Sequence, residues 1–364
     1  MRVAFVATGG LDPSGRERVI PALVSLVERT ARRHVVVAYV LRYYDTPRRY
    51  PLGDAIVQDL GRPHGIRRQY GALVGALRRD GPFDLLHAYW GLPAGLVAAV
   101  AGRRLRRPSI LTLDAGEFVG LPDIGYGLQL RRRQRVALAT ACRLATHVTV
   151  CSRYQEKLAG ASDIRAEVVQ LGIDTSVFIP GERAEGPPWR LIHVASLNRV
   201  KDQRLLVDTL SRLRQNVPDV HLDIVGEDTL NGEIQRLVAE ARLDRHVTFH
   251  GFQPSEALVP LYRRAHLAVL TSRHEAAGVV TLEAAACGVP TIGTNVGYVA
   301  DLAPRAAFAV EGRDPGEFAA AIARALNDRS MRESVAAAAR DWTLAHDADW
   351  TAAAFDRLYH ATAG

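Results

Sequence analysis

Short apolar runs alternate with longer amphipathic segments along most of the chain, and this alternation predicts an α/β protein. The clearest example spans residues 267–302. An apolar run at Leu267–Leu270 is followed there by a polar loop, a helix-like segment at 279–287 and a second apolar run at 291–293. A strand, a helix and a strand of these lengths form the crossover that joins parallel strands. Ligands of such sheets bind at the carboxyl ends of strands, so the polar loop after Leu270 is a candidate binding site.

The remaining apolar runs predict one set of buried strands in each half of the chain. In the first half they cover residues 2–7, 35–41, 84–87, 109–113, 148–150 and 168–170. In the second half they cover residues 191–194, 222–225, 247–249, 267–270 and 291–292. Between residues 42 and 50 the sequence predicts a basic, aromatic loop, and from Pro315 onward it predicts helix only.

A chain of 364 residues exceeds what one hydrophobic core usually holds, so two domains are expected. Residues 181–189 are rich in Pro and Gly and lack hydrophobic periodicity, which is typical of a linker. The prediction is therefore a Rossmann-like domain at 1–180, a second such domain at 190–345 and a C-terminal helix at 346–364. An apolar face on this last segment predicts that it packs against a domain.

The net charge of +7 favours a phosphate-bearing ligand, an anionic lipid or a nucleic acid as partner. A nucleic-acid role is not expected, because the aromatic platforms and motifs that would support it are missing from the sequence. No apolar run reaches the length that spans a bilayer. Cys142, Cys151 and Cys287 are odd in number and far apart, which argues against a disulfide framework and a metal site. Since no Asp-x-Asp motif follows a strand, no metal is predicted.

Two carboxylates frame the start of the helix at 279–287. Backbone N–H groups of Gly278, Val279 and Val280 would face an anion such as a diphosphate. Glu283, one turn into the helix, can accept hydrogen bonds from a vicinal diol such as a ribose, and Glu275 can reach hydroxyls of a group attached to the diphosphate. Alternatively, Glu275 is a solvated loop residue and Glu283 a helix-stabilising acid. The pairing of both acids around Gly278 favours the ligand site.

Two cations follow the first strand of the second domain. Arg199 and Lys201 lie in the loop 195–202, at the sheet edge predicted for Glu275. Cations beside a helix start can neutralise a leaving diphosphate. Asp202 is predicted to cap the helix that follows. The alternative is a solvated charge run.

Four motifs of the second domain appear in order: VASLNRVKDQ, LDIVGE, VTFHGF and HEAAGVVTLEAAACGVPTIGTNVG. Together they resemble the donor half of the retaining glycosyltransferases of family 4. The first domain is similar through MRVAFVATGG, LLHAYWGLPAG, VTVCSRY and VVQLGIDTSVFIPG. The resemblance implies the GT-B architecture, in which two Rossmann-like domains face each other across a cleft and a C-terminal helix crosses back to the first domain. It also implies transfer of a hexose from a nucleotide-diphosphate sugar, most simply a UDP- or GDP-sugar, with no further cofactor.

The resemblance also implies roles for individual residues. Lys201 corresponds to the lysine that holds the donor diphosphate, with Arg199 near the place of a second cation. The family arginine, however, often stands in a Gly-Arg pair that aligns with Ala195-Ser196 here. Glu275 corresponds to the acid on the donor sugar and Glu283 to the acid on the ribose. Donor binding is further implied for Gly10, Gly15, Gly251, Phe252, Gly278, Val279 and Val280.

Asp114 is a departure from the family pattern. Many members have a histidine at this position after the strand 109–113, and that histidine often touches the donor sugar. An aspartate can accept hydrogen bonds from sugar hydroxyls, and Glu117 is a second candidate for the role. Equally, Asp114 is expected to cap a following helix. His87, at another strand end, is interpreted as structural.

Arginines cluster in the first domain, which the family uses for the acceptor. The clusters are Arg131, Arg132, Arg133 and Arg135; Arg103, Arg104, Arg106 and Arg107; and Arg48, Arg49, Arg67 and Arg68. They suggest an acceptor that is anionic or lipid-linked, and a cytoplasmic protein that associates peripherally with the inner membrane face. A solvated arginine-rich surface is the simpler alternative. Two other functions stay open: a sugar-nucleotide epimerase or hydrolase, and a non-catalytic sugar-nucleotide-binding subunit.

Overall fold

A computed structural model describes residues 1–16 and 18–363 and divides into two compact units. Unit 1 comprises Met1–Gly172 and Ala348–Gly364, and unit 2 comprises Ile173–Asp347. Each unit contains one sheet of mostly parallel strands with helices packed on it, which is the α/β class expected from the sequence. Residues 181–189 lie inside unit 2, so the compact units divide before the stretch predicted as a linker.

Unit 1 is built on an eight-stranded sheet whose strands follow the order β3-β4-β2-β1-β5-β6-β7-β8. The strands are β1 (Arg2–Ala7), β2 (Val35–Val40), β3 (Arg48–Leu52), β4 (Ala55–Asp59), β5 (Leu85–Tyr89), β6 (Ser109–Leu113), β7 (His147–Val150) and β8 (Glu167–Val168). The helices are α1 (Pro21–Ala31), α2 (Ile66–Asp80), α3 (Leu96–Leu105), α4 (Arg132–Leu144) and α5 (Arg153–Gly160). A π-helical turn at Gly91–Gly95 and a 3₁₀ turn at Leu128–Leu130 complete the unit. All neighbours pair in parallel except β3 and β4.

Unit 2 is built on a six-stranded parallel sheet in the order β11-β10-β9-β12-β13-β14. Its strands are β9 (Trp189–Val194), β10 (Val220–Val225), β11 (Val247–Phe249), β12 (Leu267–Leu270), β13 (Thr291–Thr294) and β14 (Phe308–Val310). Its helices are α6 (Gln203–Leu213), α7 (Glu233–Glu240), α8 (Ser255–Arg264), α9 (Val280–Ala286), α10 (Gly297–Leu302), α11 (Pro315–Asn327) and α12 (Arg329–Ala345). The strand order reverses between β9 and β12, which is where ligands of doubly wound sheets bind.

The C-terminal helix α13 (Ala348–Ala363) belongs to unit 1, as the resemblance implied. It packs against α1 and forms polar contacts with the body of the unit. Arg29 Nε lies 2.8 Å from Asp349 Oδ1, and the Tyr359 hydroxyl lies 2.7 Å from Nδ1 of the buried His87. Because Nε2 of His87 also contacts Thr112 Oγ1 at 2.7 Å, His87 serves to join α13 to the sheet. Burial lowers the pKa of His87 to about 3, so it is neutral at physiological pH.

One local expectation was wrong, and two further strands were not predicted. The segment predicted as a loop at 42–50 contains β3, which pairs with β4 around a turn at Gly53. This edge strand is mostly exposed, so it lacks the apolar run by which buried strands are recognised. Helix α1 begins at Pro21, since proline suits the first turn of a helix. The two strands missed by the sequence are β4 and the short edge strand β14.

Both cores follow from the apolar runs. In unit 1 the buried residues of β1, β2, β5 and β6 meet the apolar faces of α2 and α3. In unit 2 the residues of β9, β10 and β12 meet α6 and α11. No helix among the described residues combines the length and apolar composition that a membrane span requires.

Candidate active site

The loop between β12 and α9 brings Glu275 against the end of the sheet in unit 2. Gly278 in this loop has φ of +76°, a conformation that favours glycine, and an added Cβ would lie 3.3 Å from Cγ of Glu275. The turn therefore holds Glu275 close to the start of α9. Helix α9 begins at Val280 and has seven residues. Gly278, Val279 and Val280 thus occupy the loop-to-helix junction where the sequence placed them.

Glu275 is buried and pairs with Lys201. The Lys201 Nζ lies 2.5 Å from Glu275 Oε1, and the Ser272 hydroxyl donates to the same oxygen at 2.6 Å. Burial by itself raises the pKa of Glu275, but the Lys201 ammonium and the hydrogen bonds from Lys201 and Ser272 outweigh burial and hold that pKa below its ordinary value. Glu275 is therefore a carboxylate at neutral pH. The alternative of a solvated loop residue does not fit a side chain that is only 8% exposed.

The loop that carries Lys201 is fixed to the end of β12. Thr271 Oγ1 donates to the Lys201 carbonyl at 3.0 Å, and the Arg273 N–H donates to the Val200 carbonyl at 2.7 Å. Lys201 itself is 24% exposed, so its ammonium is accessible from solvent. Arg199 is exposed, and its guanidinium makes no ion pair within the described residues. The structure therefore joins Lys201 to Glu275 but leaves Arg199 outside this contact.

Asp202 is not the helix cap that the sequence predicted. It stands directly before α6, but its backbone is left-handed, with φ of +51°, and its carboxylate pairs with Arg313. A capping side chain needs an extended backbone to reach the first N–H groups of the helix.

Glu283 lies in a different environment from Glu275. It is 7% exposed, and its Oε2 accepts a hydrogen bond from the Tyr262 hydroxyl at 3.0 Å. Burial raises the pKa of Glu283 to about 7, against the opposing effect of the Tyr262 hydrogen bond. A surface acid that merely stabilises a helix would be solvated, so the burial of Glu283 favours the ligand interpretation.

The loop after β11 contains the residues expected around a nucleotide base. Gly251 has φ of +65° and open space where a Cβ would lie, and Phe252 is 54% exposed. His250, just before them, contacts Asp223 Oδ1 through Nε2 at 2.7 Å, and Arg264 contacts the same oxygen at 2.8 Å. The contacts of Asp223 thus anchor the loop, which presents the exposed aromatic ring of Phe252.

In unit 1 the glycine loop after β1 is held in a tight conformation. Gly10 and Gly15 have φ of +84° and +64°, and a Cβ on Gly10 would lie 2.9 Å from Cδ1 of Ile20. The Gly15 N–H donates to the Asp12 carbonyl at 3.0 Å, and the Tyr44 hydroxyl donates to Asp12 Oδ2 at 2.6 Å. Substitution of Gly10 would therefore distort the loop.

Asp114 follows β6, but it does not cap a helix, because residues 115–118 form a bend and a turn. Its carboxylate accepts a hydrogen bond from the buried Cys151 thiol, whose pKa burial and this contact raise well above its ordinary value. Glu117 is also buried. Its two oxygens accept the N–H groups of Gly91 at 3.2 Å and Ala115 at 2.7 Å, so it orders the backbone at two strand ends.

A cavity of about 610 Å³ opens at this edge of unit 1. Its lining includes Trp90, Glu117, Tyr126, Arg131 and Gln134. Trp90 has φ of +69°, which is unusual for a residue other than glycine and is often found at functional sites. Sequence reasoning missed Trp90, Tyr126 and Gln134, and it placed Arg131 only in a basic cluster. The position of Trp90 directly after a buried strand was the available signal.

Comparison with known proteins agrees with this picture. Residues 177–342 match the family profile of glycosyl transferases group 1, and residues 19–172 match that of the glycosyl transferase 4-like domain. A D-inositol 3-phosphate glycosyltransferase of Mycolicibacterium smegmatis is 30% identical over 304 residues, which cover 78% of this chain and 69% of that protein. The chain spans 63–71% of the length of the first curated relatives it matches.

Solved structures match over nearly the whole chain. Sucrose-phosphate synthase from Thermosynechococcus elongatus has a TM-score of 0.82 at 19% identity, covering 99% of this chain and 98% of that one. Anabaena Alr3699/HepE in complex with UDP-glucose has a TM-score of 0.77 at 18% identity, covering 99% and 100%. These likenesses establish the GT-B fold. With both family profiles matched in order and a relative at 30% identity, the chain belongs to the group 1 glycosyltransferases, the family its motifs resemble.

Proposed function

We propose that the chain transfers a hexose from a nucleotide-diphosphate sugar to an acceptor and that the product retains the anomeric configuration of the donor. The observation that carries this proposal is the partly buried Lys201–Glu275 ion pair at the carboxyl edge of the unit 2 sheet. A carboxylate and an ammonium held together at this edge suit a ligand that offers both an anion and hydroxyl groups. A sugar diphosphate offers both.

The donor would rearrange this pair. A diphosphate entering beside Gly278 competes with Glu275 for the Lys201 ammonium, and Glu275 is then free to accept hydrogen bonds from sugar hydroxyls. Arg199, exposed on the same loop, would supply a second cation, and the backbone of Gly278, Val279 and Val280 would supply N–H donors. Glu283 would accept hydrogen bonds from the ribose, with Gly251 and Phe252 beside the base.

The proposed reaction is a same-face displacement. The bond between the anomeric carbon and the diphosphate oxygen breaks, and its electron pair leaves with the nucleoside diphosphate. The acceptor oxygen bonds to the anomeric carbon from the same side, and its proton passes to the leaving phosphate oxygen. Lys201 stabilises the charge that develops on the diphosphate. No step is assigned to a metal ion.

A UDP- or GDP-sugar is the proposed donor, and the complex of Anabaena HepE with UDP-glucose supports UDP-glucose as the first candidate. For the acceptor, the curated relatives named D-inositol 3-phosphate glycosyltransferases support a polyhydroxylated molecule that carries a phosphate. The cavity of unit 1 suits such a molecule, since Arg131 supplies charge and Gln134 and Tyr126 supply polar groups. We include Asp114, Gly10 and Gly15 as contributors from unit 1.

A lipid-linked acceptor is the alternative that the arginine clusters favour. The arginines of all three clusters are exposed, and an anionic membrane would attract them. Sedimentation with anionic and neutral liposomes at low salt tests this version. Binding to anionic vesicles alone is expected if the acceptor is lipid-linked. No binding to either kind of vesicle would contradict a lipid-linked acceptor.

A thermal-shift panel of UDP, GDP, ADP, CDP and dTDP sugars tests the donor half of the proposal. One clear stabiliser is expected, and no shift with any of the five would contradict it. With that donor, sugar transfer should require an acceptor, and NMR of the product should show the donor's anomeric configuration. A donor consumed equally fast without acceptor would instead indicate a hydrolase or an epimerase. Binding without turnover, over a broad acceptor panel, would indicate a non-catalytic subunit.

A further inference from the structure

Tyr262 is a buried residue of α8 that reaches the donor side of unit 2. It is 1% exposed, and its hydroxyl donates to Glu283 Oε2 at 3.0 Å. Its ring packs edge-on against Phe178, with centroids 6.1 Å apart and an interplanar angle of 72°. The ring is therefore fixed, and the hydroxyl has one well-defined partner.

Few groups act on Glu283. Tyr262 contacts it from α8, and Cys287 lies directly after the end of α9. Burial raises the pKa of the Cys287 thiol to about 12, and the neighbouring Arg183 and Arg263 act on that sulfur. Burial likewise raises the pKa of Tyr262 well above its ordinary value, so both groups are neutral at physiological pH. Among the described residues, Tyr262 is thus the group whose contact favours the ionised form of Glu283.

The chemistry of a diol makes this contact significant. A vicinal diol donates hydrogen bonds, so it binds a carboxylate better than a protonated carboxyl, whose own hydrogen competes. Tyr262 occupies Oε2, and no described residue donates to Oε1. Oε1 is therefore the oxygen best placed to receive the ligand. Since burial raises the pKa of Glu283 to about 7, a modest change in its surroundings decides which form is present at neutral pH.

We propose that Tyr262 is a positioning residue for the nucleotide, holding Glu283 in the orientation and ionisation state that accept hydrogen bonds from a ribose. The proposal rests on the ribose role proposed for Glu283. Tyr262 itself does not touch the ligand. Its contribution should appear as a change in how nucleotide affinity depends on pH.

The test compares Tyr262→Phe with Tyr298→Phe. Tyr298 is also fully buried in unit 2, with its ring 5.6 Å from that of Trp342, so its variant controls for loss of a buried hydroxyl. Affinity for UDP and for GDP, which share the ribose, is measured by calorimetry from pH 6 to pH 9. In the wild type, affinity should fall as pH decreases through 7.

Tyr262→Phe should move this fall upward by about one pH unit, because a hydrogen bond to a charged group is worth roughly one unit of pKa. Nucleotide affinity should then be about fivefold weaker at pH 7 and recover to within about twofold by pH 9. Tyr298→Phe should keep the wild-type profile. A Tyr262→Phe profile equal to that of Tyr298→Phe, or a loss of the same size at every pH, would overturn the proposal.

Glu283→Gln distinguishes failure of the role proposed for Tyr262 from failure of the ribose role proposed for Glu283. If that variant binds both nucleotides like the wild type, or if the wild type binds neither, the ribose role is wrong and Tyr262 has nothing to position. If Glu283→Gln loses affinity while Tyr262→Phe shows no shift in its profile, the ribose role stands and only the role of Tyr262 fails.

Discussion

The surroundings of Glu275 and Glu283 differ, although both acids frame the same helix start. Glu275 is neutralised by Lys201 and has a lowered pKa, whereas Glu283 faces neutral groups and has a pKa raised to about 7. Both side chains are buried. Equal burial therefore gives opposite protonation behaviour, and the difference lies mainly in the Lys201 ammonium, with the Ser272 hydroxyl acting in the same direction. Spacing along the sequence suggests that two acids share a site, but their partners determine what each can do there.

The largest effect is expected from Glu275→Gln. Gln can still accept from Ser272, so the fold should persist, but it binds sugar hydroxyls more weakly and, being neutral, no longer forms an ion pair with the Lys201 ammonium. We expect turnover to fall by roughly a hundredfold to a thousandfold, the usual size for loss of one group at a reacting centre. Affinity for the nucleoside diphosphate should stay equal or increase, because Glu275 no longer competes for Lys201. Steady-state kinetics and calorimetry measure the two quantities, and a parallel loss of both would contradict the competition.

The next effect concerns stability. The folded-state pKa of Glu283 lies above its ordinary value of 4.5, so its stabilising contribution is complete below pH 4.5 and is lost as pH rises to 7. The loss amounts to about 3 kcal/mol at most. Glu275 has a lowered pKa and acts in the opposite direction, adding stability above pH 4.5 that disappears as pH falls.

Glu283→Gln should therefore unfold at higher denaturant concentration than the wild type at pH 8 and at nearly the same concentration at pH 5. Guanidinium unfolding followed by tryptophan fluorescence at the two pH values measures this. If the variant is less stable than the wild type at pH 8, Glu283 is not a buried acid with a raised pKa.

A smaller change is expected from Lys201→Ala, which leaves Glu275 buried without its cation. Removing one partner of a buried pair costs a few kcal/mol, and the partial exposure of Lys201 should reduce this to about 2 kcal/mol. The double variant Lys201→Ala/Glu275→Gln should recover most of that loss, because the uncompensated charge is gone. Unfolding of the two single variants and the double variant gives the coupling energy. If the changes in the free energy of unfolding of the two single variants simply add up to that of the double variant, Lys201 and Glu275 are not energetically coupled.

Phe252→Ala should have the smallest effect. Phe252 is 54% exposed and is proposed to lie beside the base, where stacking on an aromatic side chain contributes about 1 kcal/mol or more. Nucleotide affinity should fall several-fold, with no change in melting temperature. A lower melting temperature with unchanged affinity would indicate that Phe252 stabilises the fold and does not bind the nucleotide.

The sequence predicted the parts of the molecule that depend on local pattern. The bounds of β1, β6, β11 and β12 agree with the predicted runs, and β1, β6 and β12 are buried along nearly their whole length. The position of Lys201 and Glu275 at one sheet edge followed from the rule that carboxyl ends of parallel strands share an edge, but their ion pair was not predicted. Strand β3 did not follow, since its exposed residues give no apolar run.

The partner of Glu283 could not be predicted either. Tyr262 lies 21 residues earlier on another helix, and its contact depends on where α8 and α9 lie in the folded unit. Similarly, the sequence was equally compatible with Asp114 as a helix cap and as a ligand-binding residue. Only the course of the backbone after β6 excludes the helix cap. Tertiary packing, which local sequence patterns do not report, fixes these details.

The central claim is that Glu283, about half protonated near pH 7 without a ligand, becomes a ligand-bound carboxylate when a nucleotide binds. Carbon-13 NMR of the glutamate carboxyl groups, with Glu283 assigned through Glu283→Gln, measures its pKa directly in the absence and presence of the stabilising nucleoside diphosphate. We predict a pKa near 7 without the nucleotide and a decrease of at least about one unit with it. A pKa of Glu283 that is ordinary without the nucleotide, or unchanged when the nucleotide binds, would contradict the account.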